Sequence, residues 1–382
     1  MFSEKILFNL ISNEVLGNAL PDGFCLPEKD FESLYRLSKQ HEIAHLVGNA
    51  LLNNNLLPTG KVGNAFKDQI MFAVYIYEQQ NARLKKVIDI FEREKIANIP
   101  LKGVEIRKLY KEPWMRNSCD IDILVREEDA DRATKVLIDS GFKSNGKKGF
   151  HDIHLSFGDV NLELHFNILE NVRQIDGVLS EVWDHTEKVT EYCYRETPEY
   201  FVFHHIAHMA YHFIAGGCGI RPLLDLKILQ INNFYDETKL MPLLEKSQLV
   251  TFYETIKQLV GVWFNGGEYT EILKSVEQYI LTGGVYGTRD NRTLTGVALN
   301  RQNKKRYLFK LAFPAYNLMC GQYPVLRKHK WLLPFCYIGR LFRKTFGKDR
   351  KRVHKQIKST FAYSDERIEQ TNALLKSLNL SK

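Results

Sequence analysis

The chain has 382 residues, 44% of them hydrophobic and 26% charged, which excludes a collagen-like repeat, a disulfide scaffold and a wholly disordered chain. Its net charge of +8 is unevenly spread: residues 301–382 hold 20 Lys and Arg against 4 Asp and Glu, whereas residues 1–300 hold 33 against 41. The basic character thus belongs to the last fifth of the chain and calls for its own explanation. Six scattered cysteines (Cys25, Cys119, Cys193, Cys218, Cys320 and Cys336) contain no Cys-x-x-Cys pair and fit reduced thiols. Polar and charged residues interrupt the apolar N-terminus, and no run approaches the ~18 apolar residues of a spanning helix. A cytoplasmic protein is expected, its basic end leaving room for attachment to a membrane surface.

Taken in order, residues 1–96 read as a helical region. From Ala65 to Lys95, Phe66, Ile70, Val74, Leu84, Ile88 and Phe91 recur near one helical face. The pattern changes at Ile96. A short apolar strand precedes a brief helix over Gly103–Tyr110, and Asp120–Val125 alternates as a strand, with Ile121, Ile123 and Val125 on one face. A helix over Glu127–Ser140 stops at Gly141. The alternating runs 151–157 and 160–166 flank Gly158-Asp159, a hairpin signal. Residues 97–175 therefore predict a small mixed sheet in an α+β fold. Helices follow at about 197–214, 221–233, 236–246 and 249–265, with a break at Gly216-Gly217, and 281–302 is expected to be loose. Four regions result: 1–96, 97–175, 176–300 and 301–382.

The chemistry concentrates on the strands. Asp120 and Asp122, two residues apart, project from one strand face. Side-by-side carboxylates repel unless a cation bridges them, and Mg²⁺ (or Mn²⁺) completed by substrate phosphates is the usual answer. In Val160-Asn161-Leu162-Glu163-Leu164-His165-Phe166 the polar residues alternate with apolar ones, so Glu163 and His165 face together. If that strand lies near Asp120, Glu163 completes a three-carboxylate site suited to in-line displacement at phosphorus.

Leu101-Lys102-Gly103, Arg116-x-x-x-Asp120-Ile-Asp122-Ile-Leu-Val125 and Leu162-Glu163-Leu164-His165, in that order, resemble the uncharacterised nucleotidyltransferase family of the DNA polymerase beta-like superfamily, over about residues 90–235. The resemblance implies metal-ligand and catalytic roles for Asp120, Asp122 and Glu163, and a Gly103 turn lying along the triphosphate of an NTP. It implies transfer of a nucleoside monophosphate to a hydroxyl or phosphate acceptor that the sequence does not identify. The superfamily's usual Gly-Ser or Gly-Gly turn is here Lys102-Gly103. Lys102 and Arg116 are candidate phosphate partners, and Ser118 either binds phosphate or fixes the turn.

His204, His208 and His212 follow at helical spacing with His205 beside them, and Arg221-Pro-Leu-Leu-Asp225 comes next. The resemblance makes His165, His208, His212, Arg221 and Asp225 candidates for cleft or acceptor contacts; core histidines and an Arg221–Asp225 ion pair at i, i+4 are the alternatives. His151 and His154 fall on opposite faces of a strand and are not expected at one ion. Residues 327–358 interleave Arg327, Lys328, Lys330, Arg340, Arg343, Lys344, Lys348, Arg350, Lys351 and Arg352 with Trp331, Phe335, Tyr337, Phe342 and Phe346. That inventory suits an anionic membrane surface, an RNA backbone, or packing on the protein itself. The expectation is a metal-dependent nucleotidyltransferase; the rivals are a non-catalytic nucleotide-binding module and an RNA or membrane adaptor.

Overall fold

The computed structural model describes residues 4–145, 149, 151–285, 287–300, 303–347 and 350–381. They divide into one unit of Met1–Met209 with Gly219–Glu277 and a second of Ala210–Cys218 with Gln278–Lys382.

The first unit opens with helices α1 (Glu4–Leu16), α2 (Phe31–Gln40), α3 (Ala44–Asn53) and α4 (Gly60–Arg93). The 34-residue α4 buries Phe66, Ala73, Ile76, Gln80, Val87, Ile90 and Phe91. Its inner stripe therefore differs from the expected one, and Val74 faces outward. Small and polar residues such as Gly63, Ala73 and Gln80 occupy the buried line, and a count of large apolar residues alone misplaces the stripe.

A five-stranded sheet follows: β1 (Asn98–Pro100), then helix α5 (Gly103–Ile106), β2 (Asp120–Val125), helix α6 (Ala130–Asp139), β3 (Lys143–Ser144), β4 (Asp152–Phe157) and β5 (Val160–His165). The spatial order is β1-β2-β5-β4-β3. β2 and β5 run parallel, while the β1–β2, β5–β4 and β4–β3 pairs are antiparallel. Gly158, at φ +61°, makes the β4–β5 turn, and Gly141, at φ +99°, ends the α6 segment.

Alternation decides which way the sheet faces. Ile121, Ile123, Val125, Val160, Leu162, Leu164, Ile153 and Leu155 pack against Val87, Ile90 and Phe91 of α4 and Ala130, Ala133 and Leu137 of α6. With that face closed by two helices, the opposite face carries Asp120, Asp122, Asn161, Glu163, Asp152 and His154.

Helix α7 (Arg173–Leu179) and a two-stranded ribbon of β6 (Thr186–Lys188) and β7 (Tyr194–Glu196) lead to α8 (Pro198–Ile214), α9 (Ile220–Ile231), α10 (Glu237–Lys246), α11 (Val250–Asn265) and α12 (Glu271–Gly283). The fold is α+β, as the sequence predicts.

In the second unit α13 (Arg289–Leu299), α14 (Lys304–Ala312), α15 (Tyr316–Gln322), α16 (Leu333–Phe346), α17 (Arg350–Ala362) and α18 (Asp365–Ser377) are helical. Leu294, Val297, Tyr307 and Ile368 form a core. The stretch expected to be loose thus contains α13. Thr288 caps it by accepting from the Asn291 N–H, and its Leu294 and Val297 are buried. Gly217 breaks the chain after α8 where backbone comes close: a Cβ there would lie 2.2 Å from the Gly287 Cα.

Candidate active site

Five side chains from β2 and β5 build the site. Register places Asp122 beside Glu163 and Asp120 beside Asn161. His165, two residues beyond Glu163, donates from Nε2 to Asp122 Oδ1 at 2.9 Å and lies 3.6 Å from Glu163 Oε2. Ligand atoms of Asp122, Glu163 and His165 fall within 4.8 Å of one another, a spacing one metal ion can bridge. Asp120 stands two residues earlier on the same strand face, outside that trio, and its carboxylate accepts from the Cys119 thiol.

The electrostatics favour a cation. Burial and then the charges of Asp122, Asp120 and Asp152 push Glu163 up to about 7. Burial followed by the neighbouring Asp122 also raises Asp120. Asp122 goes the other way, to about 2, because the hydrogen bond and charge of His165, with Lys102, outweigh its burial. Lys102 is the cation whose charge acts on Asp120, Asp122, Glu163 and Glu170 alike.

Lys102 is held close by the backbone. The Leu101 N–H donates to the Asp122 carbonyl at 3.0 Å, and the Val104 N–H donates to the Leu101 carbonyl at 3.2 Å. Leu101–Val104 is therefore a tight turn joined to β2. Lys102 sits at φ 44°, ψ −103°, the first corner of a type II′ turn, where glycine is favoured. Its Nζ is 3.3 Å from His208 Nδ1, which is also 2.6 Å from Glu170 Oε1. A Cβ on Gly103 would make ordinary contacts with Ser118 and Arg116.

The remaining candidates have other partners. Arg116 Nε donates to both oxygens of the buried Asp225, at 2.7 and 2.8 Å, and Tyr110 donates to the same carboxylate. Asp225 thus pairs with Arg116 and not with Arg221, which reaches Glu42 and the Asn117 carbonyl. Ser118 Oγ donates to the Asp120 carbonyl and accepts from Arg107, so it holds the entry to β2. His204 is a core histidine, hydrogen-bonded to Glu196 of β7, and His205 bonds the Pro222 carbonyl. His212 belongs to the second unit. His151 lies just before β4 and not within it, so both His151 and His154 approach the Asp152 carboxylate, at 3.3 and 3.6 Å.

A family model described as Uncharacterised nucleotidyltransferase matches residues 27–265, a span that contains every element of this site. The chain belongs to that family. No curated protein and no solved structure matches it.

Within this nucleotidyltransferase-family unit, Arg107 escaped the sequence reading. It is buried, and it donates to the Gly103 carbonyl, Gln80 Oε1 and Ser118 Oγ. Burial, then the nearby Arg116, lowers it to about 10. Among the described residues no carboxylate pairs with it. The Gly-turn thereby gains a buried cationic support that no short motif advertises.

The donor set fits a divalent cation. The Asp122 and Glu163 carboxylates, with Asp120 on the same face, supply hard oxygen donors, and the His165 imidazole stands within reach of the first two.

Proposed function

We propose that the chain is a Mg²⁺- or Mn²⁺-dependent nucleotidyltransferase, moving a nucleoside monophosphate from an NTP to a hydroxyl or phosphate acceptor. The observation that carries this is the register of β2 on β5, which sets Asp122 against Glu163 on the polar sheet face beside the Leu101–Val104 turn. Family membership supports the same reaction class.

Asp120, Asp122 and Glu163 would hold the metal, which when bound supplies neutralisation of the polyphosphate and activation of the acceptor oxygen. His165 orients the Asp122 carboxylate through its Nε2–H and keeps it charged. Lys102 brings positive charge to the acids, and its ammonium lies beside His208, whose Nδ1–H donates to Glu170. Arg107 and Ser118 fix the backbone on which the triphosphate would rest. Arg116 and Asp225 act indirectly, as a buried strut joining the segment before β2 to α9.

The test uses purified full-length protein, each NTP labelled separately at the α and γ phosphate, Mn²⁺ or Mg²⁺, and a cell extract as acceptor source. Metal-dependent transfer of the α label, abolished in Asp120→Ala, is expected, and the labelled species identifies the acceptor. An Asp120→Ala variant that folds and retains full transfer overturns the assignment.

A further inference from the structure

Outside the matched family span, the second unit carries a surface of a different kind. On α16 and the turn before it, Trp331, Phe335, Ile338, Phe342 and Phe346 are each 63–69% exposed. The spacing of three, four and four residues from Phe335 confines Phe335, Ile338, Phe342 and Phe346 to an arc of about 80° on one face of α16, with Trp331 on the turn just before it. A soluble surface rarely exposes a contiguous apolar stripe of this size without something to cover it. No Lys or Arg interrupts the stripe. Arg343 lies at its edge and Arg340 farther round. Exposed Arg327, Lys328 and Lys330 precede it, and exposed Arg350, Lys351 and Arg352 follow it. Lys348 lies outside the described residues.

We infer that this face is an interfacial anchor that lays α16 on an anionic lipid surface, burying Phe335, Ile338, Phe342 and Phe346 among the acyl chains while the flanking cations meet the headgroups. Charge complementarity selects the partner. Residues 301–382 are strongly basic, and cations at both ends of an uncharged apolar stripe match a negatively charged plane over an apolar interior. Trp331 at one end suits the headgroup boundary. A second copy of the chain is disfavoured, because pairing two such faces brings the basic flanks together. A nucleic acid is also a poorer match. Stacking platforms need open ring faces with cations among them, but Trp331 meets Phe335 edge-on, Phe342 leans on Phe346 at 41°, and aliphatic Ile338 occupies the middle.

The test is flotation of the full-length protein with vesicles of phosphatidylcholine alone or with 30% phosphatidylserine, in low and in moderate salt. Binding at least tenfold stronger to the anionic vesicles is expected, reduced by salt and accompanied by a blue shift of Trp emission that Trp331→Ser diminishes. Phe335→Ser/Phe342→Ser should lose at least tenfold in binding with an unchanged thermal midpoint, because both side chains are already exposed. Lys328→Glu/Lys330→Glu should lose the preference for anionic lipid. Equal binding to both vesicle types overturns the inference, as does full binding by the double Phe variant. Failure to float, with capture of a single-stranded RNA oligomer that requires the same two Phe residues, overturns it in favour of RNA; concentration-dependent dimerisation through them overturns it in favour of self-association.

Discussion

Asp122 and Glu163 are register partners across the parallel strands β2 and β5, so two acids 41 positions apart in sequence share one edge of a metal-sized gap. His165 closes that gap from the same strand as Glu163. The trio has opposed demands: Asp122 stays ionised, while Glu163 holds its proton to about pH 7.

Replacing Asp122 by Asn removes a ligand charge but keeps the shape of the side chain. Mn²⁺ affinity, followed by calorimetry, should fall at least tenfold with the far-ultraviolet dichroism unchanged. His165→Gln should weaken Mn²⁺ less than Asp122→Asn does, since it disturbs the hydrogen bond that orients Asp122 and removes no ligand charge. Unchanged affinity in both variants would sink the metal assignment.

The raised Glu163 gives a pH dependence of defined sign. Between the unfolded value near 4.5 and the folded value near 7, the native protein binds the extra proton. Metal-free stability should therefore fall as pH rises through that window and level off above it, a change on the order of 2 kcal/mol. Glu163→Gln should remove that slope. Urea titrations from pH 5 to 8 without metal check it, and an identical slope in the variant would count against the assignment.

Asp225 is buried and bonded by both Arg116 and Tyr110. Asp225→Ala leaves the Arg116 guanidinium without its counter-charge and should cost roughly 3–5 kcal/mol. Arg116→Met with Asp225→Leu should recover much of that loss. Denaturant midpoints of Arg116→Met, Asp225→Leu and their double measure the coupling, and additive losses would refute it.

Lys102 holds a backbone conformation that suits glycine better. Lys102→Gly should stabilise the fold by about 1 kcal/mol while weakening metal-dependent ATP binding at least fivefold. Equal ATP binding, measured by fluorescence-competition titration, would leave the lysine without a role towards phosphate.

The sheet and its acids were legible because period-2 alternation is strict in Val160–His165 and holds from Asp120 to Ile123, before Leu124 breaks it: the apolar partners that fix orientation stand next to the acids. The β4–β5 hairpin was legible for the same reason, aided by Gly158. The Arg116–Asp225 pair was not, since nothing local links residues 109 apart, and the nearer Arg221 offered a plausible i, i+4 partner. Arg107 was hidden because its partners are a carbonyl, an amide and a hydroxyl, which leave no charge pattern. His165 was visible as a neighbour of Glu163, but its hydrogen bond to Asp122 depends on the register of two strands. Helix α13 was obscured by the glycines and polar residues of 281–302, although Thr288 is an ordinary cap.

The parallel pairing of β2 with β5 also bears on the order of assembly. The β4–β5 hairpin is local and can close early with Glu163 and His165 already in place. The β2–β5 pairing spans α6 and the hairpin in sequence, so it is the non-local pairing of this sheet and is expected to form after the hairpin. Above about pH 7, where Glu163 ionises, the Asp122–Glu163 repulsion then arises only when β2 docks, and hydrogen exchange should find β2 opening before β4 and β5.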